Sequence, residues 1–344
     1  MTDVMSRVGI AIDDLLGAAE KRFFGSGYRR IGQRVSELSW DPERRTLRAT
    51  AGVLYPSDWS VKEAGAPAPH LSTIDALVFG ARLSEAALTA AHGLTSEQRR
   101  GMWLRRVEIR AGGAPDEQGL EAFPVSAELR GTEVAPLSAL DQVSLVVCRV
   151  GRMTVRCTVE HRPGGGPPAG DDGLLGPSEQ RPYGDGYQAH HQRIGDVLLN
   201  VSAPAPEVSA TVSLACGPEA VGTQGLEGAY QPGTTLVDAF VVALQLGQVL
   251  LYELDRVPRA GSGTLWMRRT VLEAASPYRA AAQDAPANAV LENAAVVETQ
   301  GSHWRNADIV AEYGGVRVLC SVTHRLPEHP LPGRPLPEAD GSGR

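Results

Sequence analysis

Lysine is almost missing from this chain of 344 residues: Lys21 and Lys62 are the only two, and arginine carries nearly all the positive charge. Acids outnumber bases, the formal net charge is −7, and no basic stripe interleaves with aromatics. Nucleic-acid binding needs such a stripe, so that class is set aside. Close cysteine pairs are missing too. Cys148, Cys157, Cys216 and Cys320 have no metal-type spacing, which argues against a zinc module or a disulfide framework and for a reducing cytoplasm. Neither metal nor redox cofactor is expected. No apolar run approaches the ~18 residues of a membrane span, and Asp13 and Asp14 interrupt any signal-like start. No membrane partner is expected.

What is present is a repeat. Met102-Trp103-Leu104-Arg105-Arg106 returns as Leu265-Trp266-Met267-Arg268-Arg269, and Gly151 to Arg162 returns as Gly314 to Arg325. Ser72-Thr73-Ile74-Asp75-Ala76 returns as Thr235-Leu236-Val237-Asp238-Ala239. The offset is constant (266 − 103 = 163, 238 − 75 = 163), so one unit has been duplicated. Upstream, Gln33-Arg34-Val35 matches Gln192-Arg193-Ile194 at an offset of 159. Two copies of this length suggest an internal pseudo-dimer, one that can pair again into a homodimer.

The expected organisation is an N-terminal amphipathic helix within 1–22, a first repeat over 23–162, a Pro/Gly-rich linker over 163–182, a second repeat over 183–326 and a disordered tail over 327–344. Each repeat reads as two strands (33–40 and 46–55; 192–201 and 207–215), a long helix, then further strands. The helices, 72–91 and 235–254, are apolar on most sides and so buried on most sides. Strands follow near 102–110, 123–131 and 143–161, and again at 265–273, 288–298 and 305–324. This is an α+β pattern. A long helix wrapped by a curled antiparallel sheet is the hot-dog arrangement, and two in one chain make a tandem (double) hot dog. A doubly wound sheet would alternate helices and strands.

Candidate chemistry begins at the helix starts. Ser72-x-x-Asp75 and Thr235-x-x-Asp238 fit capping boxes, which is a complete structural role for both carboxylates. The same carboxylates can serve as general bases beside the free N–H groups of a helix start, which suit a thioester oxygen gaining charge. His70 lies five residues before Asp75 and Gly233 replaces it in the second copy, which marks the first pocket as the specialised one. Period-two reading puts Arg105 beside Trp103, and Arg268 beside Trp266, on the more apolar strand face. There each needs a carboxylate, Asp75 or Asp238, or an anionic ligand group. His161 and His324 end apolar strand faces, either as hydrogen-bonded core-edge residues or as substrate contacts. Cys157 and Cys320 read as core; a Cys–His nucleophile is disfavoured there, since Cys157 and His161 are some ~13 Å apart along one strand.

The segments Arg22-Phe23-Phe24-Gly25-Ser26-Gly27-Tyr28, Pro69-His70-Leu71-Ser72-Thr73-Ile74-Asp75-Ala76 and Met102-Trp103-Leu104-Arg105-Arg106 resemble the avirulence protein D (AvrD) family over most of the chain outside linker and tail. That family is linked to syringolides, acyl glycoside signals whose skeleton implies a β-ketoacyl thioester joined to a xylulose-like ketose. It is similar in logic to the A-factor (butenolide) synthases, which also have paired hot-dog repeats. The resemblance implies acyl transfer from coenzyme A or an acyl carrier protein to a small sugar or sugar phosphate, with no further cofactor. The residue reading assigns proton removal to Asp75 or His70, with Asp238 as the duplicate. Arg105 or Arg268 would hold a phosphate or an enolised β-keto oxygen. The rivals are a hot-dog dehydratase or thioesterase and a non-catalytic acyl- or signal-binding protein.

Overall fold

A computed structural model describes residues 9–58, 68–135, 140–166, 173–217, 222–257, 265–299 and 301–327. The first repeat supplies β1 (Gly32–Asp41), β2 (Thr46–Leu54), α2 (Thr73–His92), α3 (Ser96–Gly101), β3 (Trp103–Arg110), β4 (Phe123–Val134), β5 (Gln142–Val150) and β6 (Met153–His161), after a short α1 (Ile12–Leu16). The second supplies β7 (His190–Asn200), β8 (Glu207–Cys216), α4 (Leu236–Asp255), β9 (Trp266–Ala274), β10 (Ala285–Thr299), β11 (Ser302–Tyr313) and β12 (Val316–Arg325).

All twelve strands join one antiparallel sheet in the order β1-β2-β4-β5-β6-β3-β9-β12-β11-β10-β8-β7. The second six repeat the order of the first, reversed. β3 and β9 join the halves, and Glu108 faces Val271, its own counterpart at the 163-residue offset. A pseudo-two-fold axis therefore passes between these two residues. Each long helix packs on the sheet of its own half and is buried along most of its length. By length and composition α4 could cross a membrane, against the sequence expectation, but 83% of its apolar window is buried inside the fold.

Both long helices start at the anticipated capping boxes, with Ser72 and Thr235 accepting from the N–H of Asp75 and Asp238. Two expectations change. The N-terminal helix is only Ile12–Leu16, because Gly17 leaves helical geometry at φ +82°. Part of the expected linker belongs to the repeat: the 3-10 turn Ser178–Gln180 is the counterpart of Ala19–Lys21, and Leu174 is fully buried. The short α3, capped by Thr95, went unread. Residues 328–344 of the expected tail lie outside the described residues.

The segments before β1 and β7 cross to the opposite half. Arg22 donates to Gln245 of α4 at 2.7 Å, and Phe24 packs edge-on against Phe240 at 6.1 Å. Reciprocally, Arg181 pairs with Glu85 of α2, and Tyr187 donates to Gln33 at 2.9 Å. Tyr28 and Tyr187 stack with ring centroids 6.3 Å apart.

Candidate functional site

The sequence marks the first helix start as the specialised one, and the surroundings of the two do differ. At α2, Asp75 is buried and saturated. Its Oδ2 accepts from the backbone N–H of Ser72 at 2.9 Å, from Ser72 Oγ at 2.6 Å and from Tyr55 OH. Its Oδ1 accepts from Gln33 Nε2 at 2.6 Å, and Gln33 Oε1 in turn accepts from Tyr187 OH. Burial, then the Asp75 charge, pushes the Tyr55 hydroxyl well above the usual phenol range. His70 meets this cluster through its backbone, whose carbonyl accepts from Tyr55 at 2.8 Å, while its Nδ1 faces Ala68 O at 3.1 Å.

At α4, Thr235 bonds Asp238 Oδ2 through its N–H (2.8 Å) and Oγ1 (2.7 Å), and Gln192 Nε2 donates to Oδ1 at 3.0 Å. The place taken by Tyr55 at α2 goes to a histidine: His190 Nδ1 stands 2.8 Å from Asp238 Oδ2. Burial alone would lower the His190 pKa, but the Asp238 charge and hydrogen bond, with Cys216 adding to them, raise it to about 10. Burial opposes ionisation of Asp238, and His190 and Thr235 outweigh it, so the carboxyl lies below its usual value. An imidazolium–carboxylate pair at neutral pH follows. Gln192 Oε1 is buried without a donor among the described residues, whereas its counterpart Gln33 Oε1 receives Tyr187.

A second buried cluster covers the same helix start. Glu227, fully buried, accepts from Arg279 Nη2 at 2.5 Å, Tyr183 OH at 2.9 Å and the backbone N–H of Leu104 at 3.1 Å. Tyr183 OH also accepts the Leu236 N–H of the first turn at 3.3 Å, so that donor is taken. Arg279, which donates to the Thr234 carbonyl at 2.9 Å, and Tyr313 both line a cavity of about 790 Å3. A second cavity, about 1110 Å3, opens at the seam between the halves, where Trp103, Arg105 and Arg162 face Tyr230 and Tyr278.

The arginine expectation needs correction. The β3–β6 register shifts between Leu104 and Arg106, and the β12–β9 register shifts between Ser321 and Val322. These bulges turn Arg105 and Arg268 out to solvent, off the apolar face. Arg105 pairs with Glu160 at 3.7 Å rather than with Asp75, and the Asp238 carboxylate is engaged by His190, Gln192 and Thr235 rather than Arg268. Trp103 and Arg105 still border the seam cavity; Trp266 and Arg268 border neither cavity.

His161 and His324 are buried on their strands beside the far ends of α2 and α4, about 25 Å along the helix from the aspartates. His161 bonds Ser144 at 2.7 Å and lies against His92, while His324 meets Asp255 at 2.9 Å beside Arg305. Neither shares a site with the aspartate of its own half. Among the described residues no three His, Cys, Asp or Glu side chains converge as metal ligands would. His190 was missed, although aligning the copies at the 159-residue offset sets it against Ile31.

The sequence model of the family "Pseudomonas avirulence D protein (AvrD)" matches residues 9–327. No curated protein sequence matches the chain. Similar solved structures include the tesB protein of Mycobacterium avium subsp. paratuberculosis, 14% identical, with 85% of this chain and 96% of that chain covered at a TM-score of 0.39. The 12:0-ACP thioesterase of Umbellularia californica is 10% identical over 81% and 98%, also at 0.39. The PpsC dehydratase domain of Mycobacterium tuberculosis is 11% identical over 85% and 97%, at 0.34.

Proposed function

Because the chain belongs to the avirulence D (AvrD) family over nearly its whole length, we propose that it transfers a β-ketoacyl group from a thioester to a hydroxyl of a small, xylulose-like ketose. The donor would be coenzyme A or an acyl carrier protein, and the product a syringolide- or butenolide-like signal. The fold reading behind this is a double hot dog: two buried helices, each on its own six-stranded half of the sheet, related by a pseudo-two-fold axis. The reaction needs no metal.

The observation that carries the proposal is the buried His190–Asp238 pair, next to Gln192, at the start of α4. It moves the preferred half from the first to the second. Asp238 holds the imidazole charged and oriented. His190 can donate its proton to the departing thiolate and, once neutral, take the proton of the attacking hydroxyl. Gln192 Oε1 offers that hydroxyl a buried acceptor.

The test is to incubate the full chain with a β-ketoacyl thioester of N-acetylcysteamine, with and without xylulose or its phosphate, and to resolve products by mass spectrometry. A sugar-dependent acylated product is expected. Free acid without sugar would replace this reading with a thioesterase, and enoyl product from the matching β-hydroxyacyl thioester would replace it with a dehydratase. A thioester bound but unturned over would leave a ligand-binding protein.

A further inference from the structure

The β7–β8 register sets Cys216 directly opposite His190. Opposed residues of an antiparallel pair project from the same face, which sets the Cys216 thiol beside the His190 ring, where it adds to the rise of the His190 pKa. His190 Nδ1 is engaged by Asp238. Thiol, imidazole and carboxylate thus follow one another from β8 through β7 to α4. In the first half the same register, carried one step past Gly32–Leu54, brings Ile31 opposite Tyr55. There a phenol bonds the aspartate directly and no imidazole intervenes. Accessibility separates the four thiols as well: Cys148, Cys157 and Cys320 are fully buried, and Cys216 alone is partly open.

We propose that Cys216 is the nucleophile that carries the acyl group between donor and acceptor, a step that rests on the acyl-transfer reading above. In the first step the Cys216 sulfur attacks the thioester carbonyl. A new C–S bond to Cys216 forms, the C–S bond to the donor breaks, and the charged His190 gives its proton to the departing donor thiolate and is reprotonated by the proton that the Cys216 sulfur loses. In the second step the acceptor hydroxyl attacks the acyl-Cys216. A C–O bond forms, the C–S bond breaks, and His190 gives its proton to the departing Cys216 sulfur and takes the proton of the hydroxyl. No electron is gained or lost. Asp238 acts through the imidazole as a positioning residue, the arrangement that activates nucleophiles generally.

The experiment omits the sugar, so that an acyl-enzyme accumulates. Full-length protein is mixed with acetoacetyl-N-acetylcysteamine, quenched, digested and read by mass spectrometry. The acetoacetyl mass is expected on the Cys216 peptide and on none of the other three cysteines. His190→Gln should slow its appearance by ~100-fold, the usual worth of a general acid–base. Cys216→Ala should give no adduct and no sugar-dependent product, with Cys216→Ser and iodoacetamide-blocked native protein as second checks should the alanine variant fold poorly. Wild-type turnover without an adduct, or full turnover by Cys216→Ala, overturns the nucleophile and leaves acyl transfer standing. An adduct that no sugar discharges keeps Cys216 and overturns the sugar acceptor. A wild type that neither consumes the thioester nor forms an adduct overturns both.

Discussion

Asp75 and Asp238 occupy the same position of the same capping box, and their neighbours decide what each carboxylate can do. Tyr55, Gln33 and Ser72 saturate Asp75 with donors whose protons stay put at neutral pH. Asp238 faces His190, a group that can pass a proton on. Asp238→Asn should therefore lower ketose-dependent thioester consumption by ~100-fold or more, the usual worth of an acid–base pair, while Asp75→Asn costs mainly stability. Equal losses in kcat at unchanged melting temperature would refute the assignment.

The pair also predicts a pH window. His190 is raised to about 10, so its stabilisation is complete below its ordinary value of ~6.5 and is lost as pH climbs through about 10. Asp238 is lowered, so its share is present above ~3.9 and is lost as pH falls below that. Melting curves of His190→Gln should thus lack the alkaline decline of the wild type between about pH 7 and 10. A parallel decline in both proteins would place the loss elsewhere.

Helices and strands differ in how plainly they were written. α2 and α4 were legible because long apolar runs following a Ser or Thr cap admit few alternatives, and both begin within a residue of the expected place. The bulges at Arg105 and Arg268 were not legible, since period-two counting assumes unbroken pairing and nothing local marks the extra residue. The site was half legible. The aspartates stood out through their motifs, but His190 begins a strand with no motif around it, and only its mismatch with Ile31 betrays it. At the level of the helix one prediction turns on competing magnitudes. Replacing Gly247 by Ala should gain ~1 kcal/mol of helix propensity. The added Cβ, however, would lie 2.4–2.8 Å from three carbons of the β-branched Ile309. Overpacking of that kind costs about 1–3 kcal/mol, so Gly247→Ala is expected to lower the urea midpoint. A raised midpoint would mean that β11 yields easily.

Across the whole molecule the halves are held by the β3–β9 seam and by the arms that each sends to the other's helix. Glu108, beside the pseudo-two-fold axis, accepts from Arg110 at 2.9 Å and Arg269 at 3.0 Å and meets Arg106 at 3.4 Å. Burial would raise its pKa, yet the bonds from Arg269 and Arg110 and the Arg269 charge hold it near about 2. A depressed carboxyl stabilises the fold above its ordinary pKa of ~4.3 and stops doing so as pH falls to about 2. Glu108→Gln should therefore cost only about 1 kcal/mol at neutral pH, since the guanidiniums are half in water, and should flatten the stability loss between about pH 4 and 2. The halves should not come apart in this variant, because Arg22, Phe24, Arg181 and Tyr187 still cross between them. Urea unfolding followed by tryptophan fluorescence and by circular dichroism should give one coincident transition in both proteins. Two transitions in Glu108→Gln would show that this ion cluster rather than the exchanged arms couples the halves, and an acid limb identical to the wild type would place the acid loss elsewhere.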